Sequence, residues 1–99
     1  MKLYRQGELE ITPIVSISVT AKEKGNKILA EGEATGHKHE VIGDAKLYEE
    51  NGVLYLSAKE EVEIIHPDHN TIKLPQGNYK IETQREYEIS EAKYRAVRD

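Results

Sequence analysis

The sequence has no cysteine, tryptophan or phenylalanine, and it holds only one methionine and three prolines in 99 residues. Without cysteine, the chain can form no disulfide, no thiolate metal ligand and no cysteine nucleophile. Without phenylalanine and tryptophan, its core must be built from valine, isoleucine, leucine and tyrosine. Any metal site in this chain therefore has no thiolate ligand.

Long apolar runs and a surplus of positive charge are also absent. No run reaches membrane-spanning length and no basic-then-apolar leader opens the chain, so we expect a cytoplasmic protein with no membrane partner. The formal net charge is −4, which disfavours duplex DNA as a partner because proteins that bind duplexes are usually basic. The length predicts one β domain over residues 1–99, with a homodimer left open.

What the sequence does have is a period of two, which is typical of strands. The segment 14–21 (IVSISVTA) alternates apolar and polar residues, and the turn residues Gly25 and Asn26 follow it. These features predict a hairpin whose second strand starts at Ile28 and runs toward Gly36.

The stretch KLYEENGVLYLSA predicts a second hairpin, since Asn-Gly is the strongest signal for a two-residue turn. Its register would set Tyr48 opposite Tyr55 and Leu47 opposite Leu56. Further strands end at the turns HPDHN and LPQGN, and residues 90–99 form either a short helix or a tail. The fold class is all-β, a small antiparallel barrel or roll of about eight short strands.

The four histidines of the chain fall into two close pairs, His37 with His39 and His66 with His69. Residues two apart on a strand share a face, and a Pro-Asp turn can bring its flanking rings together. Imidazole is the commonest side-chain ligand for transition metals. The pairs therefore predict one shared site. A strand continuous from Ile28 would, however, point the first pair away from the core.

Carboxylates near the two pairs, Glu40 and Asp68, are candidates to ligate a metal or to orient a histidine. Arg85 shares a predicted strand face with Tyr87. It either binds a phosphate or carboxylate group, or pairs with glutamates across the sheet.

Four stretches together resemble a family of small, uncharacterised prokaryotic and phage proteins: RQGELEITPI, LAEGEATGHKHEV, IIHPDH and IKLPQGNYKIETQREY. That family carries TGHxH, HxxH and LPxGxYxVxxQREY stretches, and the likeness spans residues 4–87. It implies the same all-β fold, and it singles out the four histidines with Arg85 and Tyr87. A looser likeness to cupins, in the Gly-HxH stretch and the LPQG turn, implies by analogy a metal in a β-roll.

The leading hypothesis is a divalent transition metal (Zn, Ni, Fe or Mn) bound by His37, His39, His66 and His69. In a catalytic form, the same four histidines with Arg85 would serve a metal-dependent hydrolase acting on an ester or phosphodiester of a small molecule or RNA. In a closed form, the metal would be structural or regulatory.

Two hypotheses from other classes stay open. One is a metal-independent ribonuclease in which histidines act as general base and acid, with Lys38 or Arg85 stabilising the developing charge. The other is a non-enzymatic phage or host interaction module whose histidines line a protein interface.

Overall fold

Ten strands make up the regular structure of the computed structural model, which describes residues 2–31 and 37–83. No helix occurs in these two ranges. The strands are β1 (Tyr4–Gln6), β2 (Leu9–Ile14), β3 (Lys22–Glu23), β4 (Ile28–Glu31), β5 (Lys38–Ile42), β6 (Ala45–Glu50), β7 (Val53–Ala58), β8 (Val62–His66), β9 (His69–Leu74) and β10 (Gly77–Thr83).

The strands form two antiparallel sheets. The first has the order β1-β2-β10-β7-β6-β3, and the second has the order β4-β5-β8-β9. The sheets do not close into a barrel, so the fold is a roll, and the predicted all-β antiparallel class is confirmed. The described residues form ten strands where about eight were expected. Two of the ten, β1 and β3, are very short, with three and two residues.

The hairpin at Asn51 and Gly52 forms as predicted. Both turn residues have positive φ, 53° and 78°, which is what a type I′ turn requires. Leu47 pairs with Leu56, and Tyr48 pairs with Tyr55 in the next register position. Here the local turn chemistry is sufficient to set the register of β6 against β7.

The predicted hairpin around Gly25 and Asn26 is wrong. The strand β2 ends at Ile14, no strand covers 15–21, and Val19 is 99% exposed. Instead β3 pairs with β6, and β4 pairs with β5. Alternation of apolar and polar residues makes a segment suitable for a strand. A strand is stabilised by packing its apolar face against neighbours, and the exposed Val19 shows that this segment has no such packing.

The hydrophobic core takes two inward-facing positions from each of β2, β6, β7, β8 and β10, and a single position from each of β4, β5 and β9. Its buried members are Leu9, Ile11, Leu29, Val41, Ala45, Leu47, Leu56, Ala58, Val62, Ile64, Leu74, Tyr79 and Ile81. Two polar residues are buried beside them, Gln6 and His39. These two residues border the candidate functional site.

Within the described ranges, no helix has the length and apolar character that crossing a membrane needs. Residues 84–99 lie outside the described ranges, and with them the predicted helix or tail at 90–99.

Candidate functional site

His39 occupies a core position of β5. It is 1% exposed and shares its strand face with the buried Val41, whereas Glu40 between them points to the opposite face. The sequence-based expectation took Ala30 as the core-facing position of the strand from Ile28, but β4 buries Leu29, which is 6% exposed, and leaves Ala30 only half-buried. His39 therefore faces the core, contrary to that expectation, whereas His37 precedes β5 and is half-exposed.

The other histidine pair reaches the same place through pairing in the second sheet. A two-residue turn of Pro67 and Asp68 joins β8 to β9, so that His66 lies directly opposite His69. Because β8 pairs with β5, both rings come next to His39. The ring centroid of His39 lies 4.3 Å from that of His66 and 6.0 Å from that of His69.

His37 joins the cluster at its outer edge. Its ring centroid lies 6.0 Å from that of His66, with the rings edge to face. All four histidines singled out in the sequence thus lie side by side, and they run from a buried floor at His39 to a half-exposed rim at His37.

Two further site residues come from the turn between β1 and β2, which the sequence did not single out. Gln6 ends β1 and Glu8 is the second turn residue. The amide nitrogen of Gln6 donates to the backbone oxygens of Ile64 and Asn70, at 2.8 Å each. Gln6 therefore ties the edge of the first sheet to β8 and β9 of the second.

These contacts determine where the proton on neutral His39 lies. Since both N–H groups of the Gln6 amide donate to carbonyls, its oxygen is left to accept, and it lies 2.7 Å from Nδ1 of His39. Nδ1 therefore carries the hydrogen. The other ring nitrogen, Nε2, has a lone pair and lies 3.3 Å from Oε1 of Glu8.

The charges in this pair follow from burial and contacts. Burial lowers the pKa of His39 and outweighs the opposing effect of Glu8, which favours the neutral ring. Burial by itself would raise the pKa of Glu8, but the hydrogen bond from its own backbone N–H, together with the neighbouring His39 and His66, holds it below the usual range. At neutral pH, a carboxylate and an imidazole lone pair consequently face each other.

Asp68 orients the two histidines at the outer side of the cluster. Its carboxylate lies 2.6 Å from Nδ1 of His37, which donates to it. Its backbone N–H donates to Nδ1 of His66 at 3.0 Å. Neutral His66 therefore carries its hydrogen on Nε2, so in this arrangement it has no lone pair to give a metal.

Gly7 makes room for His69 beside Glu8. Its φ is +61°, in the left-handed region, and a Cβ added there would lie 2.5 Å from Nε2 of His69. A glycine is thus required here both by the backbone and by the close approach of the ring. This packing holds the exposed His69 ring next to the turn that carries Glu8.

Within 2–31 and 37–83, no three His, Asp or Glu side chains are already arranged as a set of metal ligands. The site consists instead of one facing pair, His39 and Glu8, with the three other imidazoles around it.

The sequence-based site residues have mixed outcomes. The four histidines meet, Asp68 contacts His37, and Glu40 points away from the cluster. Arg85 and Tyr87 lie outside the described residues. Gln6 and Glu8 were missed because their positions carry no local motif. They lie within RQGELEITPI, so the family resemblance was the one signal that included them.

The chain has no significant match among the curated proteins or among the solved structures. One family model matches residues 5–84, a range that contains the β1–β2 turn and both histidine pairs. On this match, the chain belongs to the family described as Domain of unknown function (DUF8820).

Proposed function

We propose that the protein binds a divalent transition metal between Nε2 of His39 and the carboxylate of Glu8, with His69 as the third ligand. The observation that carries the proposal is the 3.3 Å contact between Nε2 of His39 and Oε1 of Glu8. With the hydrogen of the neutral ring on Nδ1, beside the Gln6 oxygen, both of these atoms are acceptors. Two acceptors at this distance repel each other unless a cation or a proton lies between them. The lowered pKa of His39 favours its neutral form, and so disfavours the proton.

The separation of the two atoms suits a metal. Ligand atoms about 2.0–2.2 Å from a tetrahedral zinc ion lie roughly 3.3–3.6 Å from each other. The observed 3.3 Å lies within that range. The pair therefore has the spacing of two zinc ligands before any rearrangement.

The third ligand requires a ring movement. Imidazoles that share a tetrahedral metal have ring centroids roughly 5 Å apart, and those of His39 and His69 are 6.0 Å apart. His69 is exposed, so the proposal includes a rotation of its side chain, from its position against Gly7, toward the ion. His66 packs on His39 and limits the space available to the ion.

The donor set indicates the class of metal. Two imidazoles and one carboxylate suit zinc, nickel, iron and manganese in their divalent forms. Three protein ligands leave a further position, and Glu8 and His69 are both exposed to solvent. An open position is what a metal-dependent hydrolase of esters or phosphodiesters needs, and that activity is the catalytic form of the proposal. The likeness to cupins does not extend to the carboxylate ligand, because Glu8 lies many residues before the Gly-HxH stretch on which that likeness is based.

Zinc titration of the untagged protein tests the proposal. We expect one site by isothermal titration calorimetry. With zinc at a hundred times its dissociation constant, the stabilisation would be about 2.7 kcal/mol, which raises the melting temperature by roughly 10–20 °C in a domain of this size. EDTA should reverse the rise. A melting temperature that zinc leaves unchanged, with no heat of binding, would contradict the proposal.

A metal-independent ribonuclease is the second candidate, and one observation favours it. The Asp68 carboxylate accepts a hydrogen bond from Nδ1 of His37 at 2.6 Å, and a carboxylate that orients a histidine is the usual support of a general base. RNA cleavage that persists in EDTA and disappears in Asp68→Asn would support it. Cleavage that EDTA abolishes would assign the activity to the metal.

A further inference from the structure

We infer that Gln6 is a positioning residue: it holds the hydrogen of the neutral His39 ring on Nδ1, and so prevents Nε2 from donating a hydrogen bond to Glu8. The inference rests on the proposed function for its effect on metal affinity. Its effect on the proton of His39 can be measured without metal.

The Gln6 amide has one orientation available. The side chain is 3% exposed, and its nitrogen donates at 2.8 Å to the carbonyls of Ile64 and Asn70. A flipped amide would set its oxygen against both carbonyl oxygens and leave buried acceptors without donors, which is costly. The oxygen of Gln6 must therefore face His39.

The consequence is a fixed tautomer. A neutral imidazole has one N–H, and in His39 the Gln6 oxygen draws it to Nδ1. Without this acceptor, the hydrogen would be better placed on Nε2, where it could donate to the Glu8 carboxylate. Such a bond would satisfy both groups and occupy the lone pair that a metal needs.

Gln6 therefore has the role that carboxylates or backbone carbonyls have behind many metal-binding histidines, where they hold the ring and its tautomer. It differs in being held itself, by two carbonyls of the second sheet. The β1–β2 turn thus supplies both the ligand Glu8 and the group that keeps its partner ready.

Long-range ¹H–¹⁵N correlation spectra of the histidine rings in metal-free protein test the inference directly. In the wild type, the hydrogen of His39 should be on Nδ1. In Gln6→Met, which keeps the side-chain length but cannot accept, it should move to Nε2. The exposed Gln76 provides a matched control, since Gln76→Met should change neither tautomer nor zinc affinity.

The same variants are then titrated with zinc. We expect Gln6→Met to bind zinc about 10–100-fold more weakly than the wild type, the usual effect of losing a group that orients a ligand. If the wild type carries its hydrogen on Nε2, the inference is wrong whatever the variants do. It is also wrong if Gln6→Met keeps the hydrogen on Nδ1. A tautomer change with no zinc binding in the wild type would keep the role of Gln6 and reject the metal site.

Discussion

Replacing His39 with alanine is expected to abolish zinc binding and to lower the free energy of unfolding by about 2–4 kcal/mol. The ring is 1% exposed, so its removal leaves a cavity between the two sheets. It also leaves the oxygen of Gln6 without the donor that it now has at 2.7 Å. Urea unfolding in EDTA measures the stability, and calorimetry measures the zinc affinity.

His37→Ala is the control for that substitution. His37 is 40% exposed and pairs with an exposed carboxylate, so its loss should cost less than about 1 kcal/mol. It should leave zinc binding in place. Equal losses of stability in the two variants would contradict the assignment of His39 to the core of the site.

The pH dependence of stability should depend on the same residue. Burial lowers the pKa of His39 in the folded protein below its ordinary 6.5, so the unfolded chain binds the proton more readily. The contribution of neutral His39 to the free energy of unfolding is therefore fully present above pH 6.5. It is lost as the pH falls through that value toward the pKa of the folded state. The His39→Ala variant has no such contribution. The difference in free energy of unfolding between wild type and variant should therefore decrease as the pH is lowered from about 7.5 to about 5.5.

Replacing Glu8 with glutamine is expected to weaken zinc binding by roughly 100-fold or more, since loss of an orienting group alone costs about 10–100-fold. The amide keeps the shape of the side chain but removes the charge that faces His39. Folding should change little, by less than about 1 kcal/mol, because the Glu8 side chain is 39% exposed. The variant therefore separates metal affinity from stability.

Glu61→Gln is the matched control, because Glu61 is exposed and outside the histidine cluster. It removes the same charge from the chain and should leave the zinc affinity unchanged. If both variants lost affinity equally, net charge would explain the effect and Glu8 would not be a ligand. An unchanged affinity in Glu8→Gln would remove Glu8 from the proposed ligand set.

The parts of the fold that the sequence predicted are those set by local chemistry. Asn51 and Gly52 fix a turn, and the turn fixes the register of the flanking strands. The HPDH stretch also sets His66 opposite His69 across a two-residue turn, but this turn lacks the positive φ of the Asn-Gly turn and the register shifts between Ile64 and His66. In both cases the information lies within a few residues. The segment 14–21 shows the limit, since its alternation is clear but, among the strands of 2–31 and 37–83, none pairs with it beyond Ile14.

The site was predicted in part for a similar reason. The two histidine pairs are visible as motifs, and the pairing of β5 with β8 joins them. Gln6 and Glu8 are separated from His39 by 33 and 31 residues, and a lone glutamine or glutamate gives no signal at such a distance. Their roles depend on where the first sheet meets the second. Only the tertiary arrangement contains that information.

A buried glutamine and histidine are unusual in a core as small as this one. Desolvation of polar groups costs free energy unless each finds a partner. In the described part of the chain, no buried side-chain nitrogen or oxygen lacks a contact at hydrogen-bonding distance, and for Nε2 of His39 that contact is the facing Glu8 carboxylate. The hydrogen bond between Gln6 and His39 thus limits the desolvation cost of burying them. Their arrangement places the lone pair of Nε2 next to the Glu8 carboxylate at the solvent edge.

Diffraction at the zinc absorption edge from crystals of untagged protein grown with zinc is the most direct measurement of the metal site. We expect an anomalous peak about 2.0–2.2 Å from Nε2 of His39 and from a carboxylate oxygen of Glu8, with the His69 ring turned toward it. Crystals with zinc bound only elsewhere, and His39 still facing an unbridged Glu8, would contradict the metal site.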